Sequence, residues 1–157
     1  MEIRDTSCIL IGMIAIETSV RIDRPAEAVF ALLSDPLRLP LWNSAVESVR
    51  PTGPAYAMRR RLPGGRADNE LEIVASEPPS LFAIRTTSGP TPFSYRYRLV
   101  PDGEATVVEF DGTVELGGPQ ALVGRAIKRG IDANLATLRN TLEREAGERD
   151  HGRRVHG

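Results

Sequence analysis

A single apolar stripe runs through the last third of the sequence and limits the folds that this chain can adopt. Between Pro119 and about Glu145 there is no second proline, and apolar side chains recur at spacings of three and four residues. That period predicts one helix of about 40 Å, at about 1.5 Å per residue. Its apolar face consists of Val123, Ile127, Ile131, Leu135, Leu138 and Leu142. A helix cannot bury such a face by itself, so the rest of the chain must provide a large apolar surface.

The residues before the helix are expected to form that surface as a sheet. In residues 14–22 apolar and polar side chains alternate, which is the period of a strand with one buried face. After residue 44, glycine and proline turns divide the chain into further segments of strand character, with no helical pattern between them. These segments are 45–50, 55–62, 68–76, 81–87, 93–100 and 106–116. Without crossover helices the strands must be antiparallel, and a sheet of seven strands must curve to enclose one helix.

Two short helices are predicted between the first strand and the others. Asp23 is placed to cap the first helix, Pro25 suits its first turn, and Asp35-Pro36 ends it. The second, at residues 37–42, is interrupted by Pro40. The sequence therefore predicts an α+β fold: a curved, seven-stranded antiparallel sheet around a long C-terminal helix, with two short helices after the first strand.

Length and composition indicate one globular domain. The chain has 157 residues, of which 41% are hydrophobic and 26% charged, and these values are typical of a folded domain rather than of a disordered segment. We expect residues 13–146 to form the domain, residues 1–12 a loose leader and residues 147–157 a polar, disordered tail. The net charge of -1 and the scatter of arginines along the chain provide no basic surface for nucleic acid.

The N-terminal region gives no sign of export. Cys8 is the only cysteine, which excludes an intrachain disulfide and fits a reducing compartment. The apolar run at residues 8–16 is about half as long as a membrane span. Residues 1–5 carry no net positive charge, so a secretory signal is not predicted either. We expect a cytoplasmic protein without a transmembrane segment, present as a monomer or a weak homodimer.

Alternate residues of each strand are expected to face an apolar space under the helix. A one-residue slip would turn any of these strands over. Ala75, Thr86, Leu99, Gly112 and Val114 are assigned to this inward face. The predicted lining of the space combines strand residues, two aromatic residues of the short helices and part of the helix stripe. It comprises Phe30, Trp42, Tyr56, Met58, Arg60, Leu71, Ile73, Phe82, Ile84, Phe93, Tyr95, Tyr97, Val108, Phe110, Ile127, Ile131, Asn134, Leu135 and Leu138.

Arg60 is the most informative member of this set. The inward register brings its guanidinium to the buried face, where the inward positions of the other strands offer no carboxylate. A buried, unpaired cation is too costly to persist. Three solutions remain: the side chain extends to the rim, which we favour, an anionic group of a ligand pairs with it, or the register is wrong.

Three aromatic side chains admit both a ligand-binding and a packing interpretation. Tyr95 and Tyr97 bring two hydroxyls into an apolar space, where each needs a partner from water, backbone or ligand. Trp42, the only tryptophan, is interpreted as a packing residue of the short helices rather than as part of a cavity mouth.

Two interpretations are also possible for a polar residue and for two glycines of the long helix. Asn134 either faces the cavity, where its amide would bind a ligand, or contacts water at the edge of the stripe, which we favour. Gly124 and Gly130 each cost about 1 kcal/mol relative to alanine inside a helix. Their presence indicates either the close approach of a strand or space for a ligand.

Several chemistries are missing. His151 and His156 are the only histidines and both lie in the polar tail, so neither a metal site nor a catalytic triad is predicted. Residues 118–124 lack the Gly-Lys-Ser/Thr ending of a phosphate-binding loop. We predict no catalytic residue, no metal and no cofactor. If proton transfer occurred, a tyrosine would be the best acid.

The order of elements and one local signature resemble a known superfamily. The signature reads Ile22-Asp23-Arg24-Pro25-Ala26-Glu27-Ala28-Val29-Phe30, then Ser34-Asp35-Pro36, with Trp42 after Leu39-Pro40. It is similar to that of the START-like, birch-pollen-allergen-type proteins, also called SRPBCC, and within them to the polyketide cyclase/dehydrase-like branch. The resemblance covers residues 14–145. It implies the helix-grip fold, with a cavity for lipids, sterols, polyketides or similar molecules.

The predicted function is non-catalytic binding of a hydrophobic or amphipathic small molecule between sheet and helix. Two alternatives follow from the resemblance. One is a polyketide cyclase, aromatase or dehydratase in which Tyr95, Tyr97 and Arg60 act as acid or orienting groups. The other is an assembly or membrane-recruitment factor, similar to the accessory proteins of this superfamily that serve carbon monoxide dehydrogenase. The shortage of catalytic residues favours binding.

Overall fold

The strands form one antiparallel sheet that curves around the long C-terminal helix. The computed structural model describes residues 13–62, 65–115 and 120–156. In chain order the elements are β1 (Met13–Ile22), α1 (Ala26–Leu33), a 3₁₀ helix (Pro36–Leu41), β2 (Val46–Thr52), β3 (Ala55–Leu62), β4 (Gly65–Glu77), β5 (Leu81–Ser88), β6 (Phe93–Asp102), β7 (Ala105–Glu115) and α2 (Gln120–His156). The predicted α+β fold is confirmed.

The strand order is β1-β7-β6-β5-β4-β3-β2. From β2 to β7 each strand pairs with the next in sequence, whereas β1 pairs with β7. Strands β1 and β2 are therefore the two edges of the sheet. The chain passes from one edge to the other through α1 and the 3₁₀ helix, so these short helices lie at the open side of the curve.

A bulge in β4 overturns one predicted side-chain direction. The register shifts between Ile73 and Ala75, so that Ile73 pairs with Ile84 but Ala75 pairs with Ala83. Because neighbours across two strands share a face, Ala75 lies on the face opposite to Ile84. Its assignment to the inward face is wrong, since one extra residue in a strand reverses every side chain that follows.

The segment between β1 and α1 is fastened to the long helix. The backbone N–H of Asp23 donates to Glu143 Oε2 at 2.9 Å, and Arg24 Nη1 donates to the carbonyl of Leu142 at 2.7 Å. Asp23 was expected to cap α1, but it does not, because the helix begins later and Pro25 is its N-cap. These two residues thus hold α1 against α2 rather than starting a helix.

The 3₁₀ helix has a side-chain cap. Asp35 Oδ1 accepts a hydrogen bond from the backbone N–H of Leu37 at 3.1 Å, which satisfies one donor that a helix start leaves free.

Packing of α2 on the sheet is graded along its length. Leu135, Leu138 and Leu142 are fully buried in the core. Toward the N-terminus the cover decreases, since Ile127 is only partly buried and Val123 is 37% exposed. The helix stripe is therefore sealed in its C-terminal half and open in its N-terminal half.

The C-terminal end of α2 differs from the expected boundary. The helix continues to His156, past the predicted end near Glu145 and through most of the segment expected to be a disordered tail. No proline stops it there, and glycine lowers helix stability by only about 1 kcal/mol. The expected leader, residues 1–12, and the turn at residues 117–119 lie outside the described residues, as do the side chains of both histidines.

Candidate functional site

A cavity of about 600 Å³ lies between the sheet and the open half of α2. Small-molecule sites typically measure about 300–1,000 Å³. The helix forms one wall, strands β3, β5, β6 and β7 form the second, and the chain between the 3₁₀ helix and β2 forms the third. The helix stays close to β1, from Gly124 beside Ile14 to Glu143 at Asp23. The cavity lies where the N-terminal half of its stripe faces β3, β5, β6 and β7.

Most of the predicted polar and aromatic residues border this cavity. The structure brings together Trp42, Met58, Arg60, Ile84, Phe93, Tyr95, Tyr97, Ile127, Ile131, Asn134 and Leu135. Except for Trp42, which follows the 3₁₀ helix, and Asn134, which lies beside the stripe, these side chains come from the predicted inward register and the predicted stripe, so periodicity identified them.

The other predicted lining residues do not border the cavity. They pack into the core, where the helix meets the sheet or where α1 covers it: Phe30, Leu71, Phe82, Val108, Phe110 and Leu138 are buried, and Tyr56 and Ile73 pack against that core. Inward direction is therefore not enough to place a residue in the cavity. Whether an inward-facing residue packs in the core or borders the cavity depends on which half of α2 lies opposite it.

The predicted lining did not include several residues that border the cavity. They are Leu39, Asn43, Ala45, Val46, Thr91, Val114, Val123, Ala126 and Gly130. Val114 and Val123 were assigned to the inward face and to the stripe, but not to the cavity. Gly130 had been singled out as a sign of either a close strand or space for a ligand. Leu39 lies in the 3₁₀ helix and Val46 at the start of β2, and the others lie in turns or beside the stripe.

The guanidinium of Arg60 is held by neutral partners. Its Nε donates to Asn69 Oδ1 at 2.8 Å, and its Nη2 donates to the carbonyls of Pro90 and Thr91 at 2.9 and 3.0 Å. It also lies over the ring of Phe93, 5.2 Å from the centroid. The inward register of Arg60 is confirmed. The expected extension to the rim is wrong, because the residue is only 9% exposed.

Asn69 is the residue that the sequence did not reveal. It is buried on β4, opposite Met58 on β3, and its Nδ2 donates to the carbonyls of Ser88 and Pro90 at 3.0 and 2.9 Å. One amide therefore binds both Arg60 and the turn between β5 and β6. An alternating pattern extended back from Leu71 by two residues would have placed it inward.

The turn between β5 and β6 is tightly shaped. Gly89 has a φ of +99°, and a Cβ there would lie 2.4 Å from the carbonyl oxygen of Asp68. Thr91, which borders the cavity, has a φ of 53°, an uncommon value for a residue with a side chain. The hydrogen bonds from Arg60 and Asn69 hold this conformation in place.

The two tyrosines of β6 line the cavity, and neither hydroxyl bonds to another described residue. Burial raises the pKa of Tyr95 to about 12, although the nearby charge of Arg60 opposes the rise. Burial also raises the pKa of Tyr97, and the neighbouring Tyr95 adds to that rise. Both hydroxyls are therefore neutral hydrogen-bonding groups at physiological pH.

Aromatic contacts fix these rings. Tyr95 stacks on Phe93 at 4.3 Å between centroids, and Tyr97 meets Trp42 edge to face at 6.1 Å. The ring of Tyr95 also covers Gly112, where an added Cβ would lie only 2.7 Å from it. Trp42 is 2% exposed, and its Nε1 has no hydrogen-bond partner among the described residues. The tryptophan is both a packing residue and part of the cavity wall.

Contacts on α2 separate two of the alternatives left open by the sequence. Asn134 Oδ1 accepts from the backbone N–H of Ser44 at 3.2 Å, and its Nδ2 donates to Asn43 Oδ1 at 3.1 Å. This amide therefore joins the helix to the start of β2, at the border of the cavity. At Gly124 an added Cβ would contact Ile14, whereas at Gly130, which borders the cavity, nothing lies within 4 Å.

A second depression, of about 470 Å³, lies on the other side of the sheet. It is lined mainly by charged residues of both signs, among them Glu17, Arg96, Arg98, Glu109 and Asp111. Arg96 lies opposite Asp111 and Arg98 opposite Glu109 on the neighbouring strand. This surface alternates charges of both signs and lacks the apolar walls of a typical small-molecule site, so it is a poorer candidate for a ligand.

Within the described part of the chain, no cluster of three or more histidine, cysteine or acidic side chains is arranged to hold a metal ion. In the same residues, no helix combines the length and the apolar character needed to cross a membrane.

Comparison with solved structures shows the same fold in proteins of low sequence identity. A START superfamily protein from Mycobacterium smegmatis has a TM-score of 0.75 and 16% identity, with 83% of this chain and 97% of that chain covered. The ZhuI aromatase/cyclase from Streptomyces sp. R1128 has a TM-score of 0.69 and 19% identity, with 85% and 96% covered. The protein Ara h 8.0201 has a TM-score of 0.64 and 11% identity, with 83% and 98% covered.

At these identities the similarity shows the fold alone, and no curated protein matches the chain in sequence. The family described as polyketide cyclase / dehydrase and lipid transport matches residues 13–143. That range includes the signature between β1 and Trp42 and nearly all of the helix stripe. The predicted resemblance is confirmed, and the chain belongs to the family described as polyketide cyclase / dehydrase and lipid transport.

Proposed function

We propose that this protein binds a hydrophobic or amphipathic small molecule, such as a lipid or a polyketide, in the cavity under the open half of α2, and that it does so without catalysis. The observation that carries the proposal is the cavity of about 600 Å³ whose walls are mostly apolar. Filling such a space with an apolar ligand is favourable by about 25 cal/mol for each Å² removed from water. The few polar groups at its border would orient the ligand.

The lining supports binding better than chemistry. Tyr95 and Tyr97 are the only phenols among the described residues that border the cavity, and burial raises the pKa of both. A general acid works best when its pKa lies near the working pH. Raised pKa values keep both phenols protonated, so they can donate hydrogen bonds to a ligand, but they make poor proton donors in a reaction.

A plug at the cavity border would test the proposal. Ala126 is exposed on α2 and borders the cavity, so Ala126→Trp should obstruct it without disturbing the core. Ala133 is exposed on the same helix but does not border the cavity, which makes Ala133→Trp the matched control. We expect a fluorescent fatty-acid analogue to bind tightly to the wild type and to Ala133→Trp, and weakly to Ala126→Trp.

Native mass spectrometry of gently purified protein supplies the second measurement. A co-purifying mass that is lost in Ala126→Trp and kept in Ala133→Trp would support binding in this cavity. If no probe binds the wild type and no co-purifying mass is found, the proposal fails.

A polyketide cyclase, aromatase or dehydratase is the second candidate. It is favoured by two tyrosine hydroxyls that border the cavity and by the likeness of the fold to the ZhuI aromatase/cyclase. Incubation with a reactive poly-β-ketone thioester would separate the two candidates. An enzyme would change the product distribution, and Tyr97→Phe would restore the spontaneous one. A binding protein would leave the distribution of products unchanged.

A further inference from the structure

The charge of Arg60 is not neutralised by the residues around it. Its guanidinium stays protonated at any physiological pH, and the residue is only 9% exposed. Its bonded partners are the amide of Asn69 and the carbonyls of Pro90 and Thr91, all of which are neutral. Among the described residues, no ion pair involves Arg60, although six other pairs of opposite charge are formed.

Hydrogen bonds of this kind position the cation but leave its charge uncompensated. A guanidinium has five N–H groups, and those of Nε and Nη2 account for the three bonds to Asn69, Pro90 and Thr91. The two N–H groups of Nη1 bond to no described residue. Nη1 is not among the buried atoms that lack a partner, so it keeps accessible surface. Since Arg60 borders the cavity, an acceptor that enters the cavity can pair with this guanidinium.

Two further donors accompany Arg60 at the same border. The hydroxyls of Tyr95 and Tyr97 have no bonded partner among the described residues, and Tyr97 is only 4% exposed. Neither hydroxyl is among the buried atoms that lack a partner, so each is accessible to water or to a ligand group that enters the cavity. An anionic ligand that enters the cavity therefore meets hydrogen-bond donors as well as the charge of Arg60, while its apolar part fills the remaining space.

We propose that the ligand of this cavity carries an anionic oxygen group of carboxylate size that binds Arg60, and that Asn69 is the residue that determines this preference. The inference rests on the proposed function, since it names the ligand class of the same cavity. Asn69 is a positioning residue: it fixes the guanidinium through Oδ1 and the turn through Nδ2, and it adds no negative charge. An aspartate in its place would keep an acceptor for Arg60 Nε, neutralise the cation and remove the need for an anionic ligand, but it would lose the two hydrogen bonds that Nδ2 donates to the turn.

The direction of the pKa of Arg60 agrees with this picture. Burial lowers the pKa of its guanidinium below its usual range, which means that the charged form is destabilised where it stands. A negative group beside it would reverse that effect.

Two probes of equal chain length test the inference. Dodecanoic acid and dodecanol differ only in the head group, and binding is compared at about pH 8, where the carboxyl group is ionised. We expect the wild type to bind the acid about ten- to a hundredfold more tightly than the alcohol, the ratio expected from one charge-assisted hydrogen bond. In Asn69→Asp the preference for the acid should be lost, while the affinity for the alcohol stays within about threefold of the wild-type value.

Asn140→Asp is the matched control, because the same substitution is made at an exposed position on α2, away from the cavity. It should keep the wild-type preference. Thermal unfolding checks that each variant folds. If Asn69→Asp does not fold, Arg60→Gln provides the same comparison, because it removes the charge and should lower the affinity for the acid alone.

The possible failures are distinct. If the wild type binds acid and alcohol equally, or if Asn69→Asp keeps the preference for the acid, the inference is overturned while binding in the cavity stands. If neither probe binds the wild type, the proposed function fails and this inference fails with it.

Discussion

Truncating the apolar stripe of α2 at its two ends should cost very different amounts of stability. Leu138 has no exposed surface, and Leu138→Ala removes three carbon atoms from a closely packed core. Such substitutions cost about 3 to 5 kcal/mol, because the transfer free energy and the new cavity both count. At the other end, Val123 is 37% exposed and borders the existing cavity.

The cost of Val123→Ala follows from the same reasoning. Two methyl groups are removed, each contributing about 0.8 kcal/mol when fully buried, so a partly exposed site loses about 1 kcal/mol. Alanine has the higher helix propensity, which offsets about half of that loss. We therefore expect a net cost of about 0.5 kcal/mol, several-fold below that of Leu138→Ala.

Urea unfolding followed by far-ultraviolet circular dichroism measures both values. The comparison is valid where the denaturant slopes of the two variants agree, so that the midpoints report stability. Equal costs at the two positions would refute the graded packing, because they would mean that α2 is covered evenly and that no cavity lies under its N-terminal half. Ile131→Ala, at the boundary between the two halves, should fall between them.

Three further changes test other parts of the structure. Gly112→Ala should destabilise by about 1–3 kcal/mol, because its Cβ would lie 2.7 Å from the ring of Tyr95; unchanged stability and near-ultraviolet circular dichroism would contradict this. Gly130→Ala should stabilise by about 1 kcal/mol in urea unfolding, since nothing lies within 4 Å of the added carbon, and a loss of stability would speak against a regular helix there. The hydroxyl of Thr18, and then Lys128, lower the pKa of Asp132. A carboxyl whose pKa is lowered in the folded state stabilises that state above its unfolded pKa of about 3.9, and ceases to do so as the pH falls through the folded pKa. Thr18→Val should therefore be less stable than the wild type at neutral pH, and this difference in unfolding free energy should disappear on acidification. A loss that does not vary with pH would show that the carboxylate is not involved.

Local patterns were sufficient for the elements of this fold. Strand boundaries followed the glycine and proline turns, and the inward faces followed the two-residue period, because both signals depend on neighbours in the sequence. The exceptions are long-range or irregular. The bulge that turns Ala75 over is set by the pairing of β4 with β5, and the continuation of α2 to His156 reflects the lack of any strong stop.

The site was predicted less completely, for physical reasons. The width of the gap between α2 and the middle strands depends on how the whole helix is held along β1, including the contact between Thr18 and Asp132 at 2.6 Å. No local pattern carries that information. The partners of Arg60 lie nine and about thirty residues away along the chain, so the sequence identified a cation in need of partners but not the amide and turn that hold it.

The position of Trp42 in the cavity wall allows intrinsic tryptophan fluorescence to report on the cavity. It is the only tryptophan in 157 residues, so the whole indole emission of the chain originates in the cavity wall. Its edge-to-face contact with Tyr97, at 6.1 Å between centroids, is short enough for efficient energy transfer from that phenol. A molecule that enters the cavity changes the polarity around one indole and the geometry of one donor. Occupancy can therefore be followed by unlabelled fluorescence.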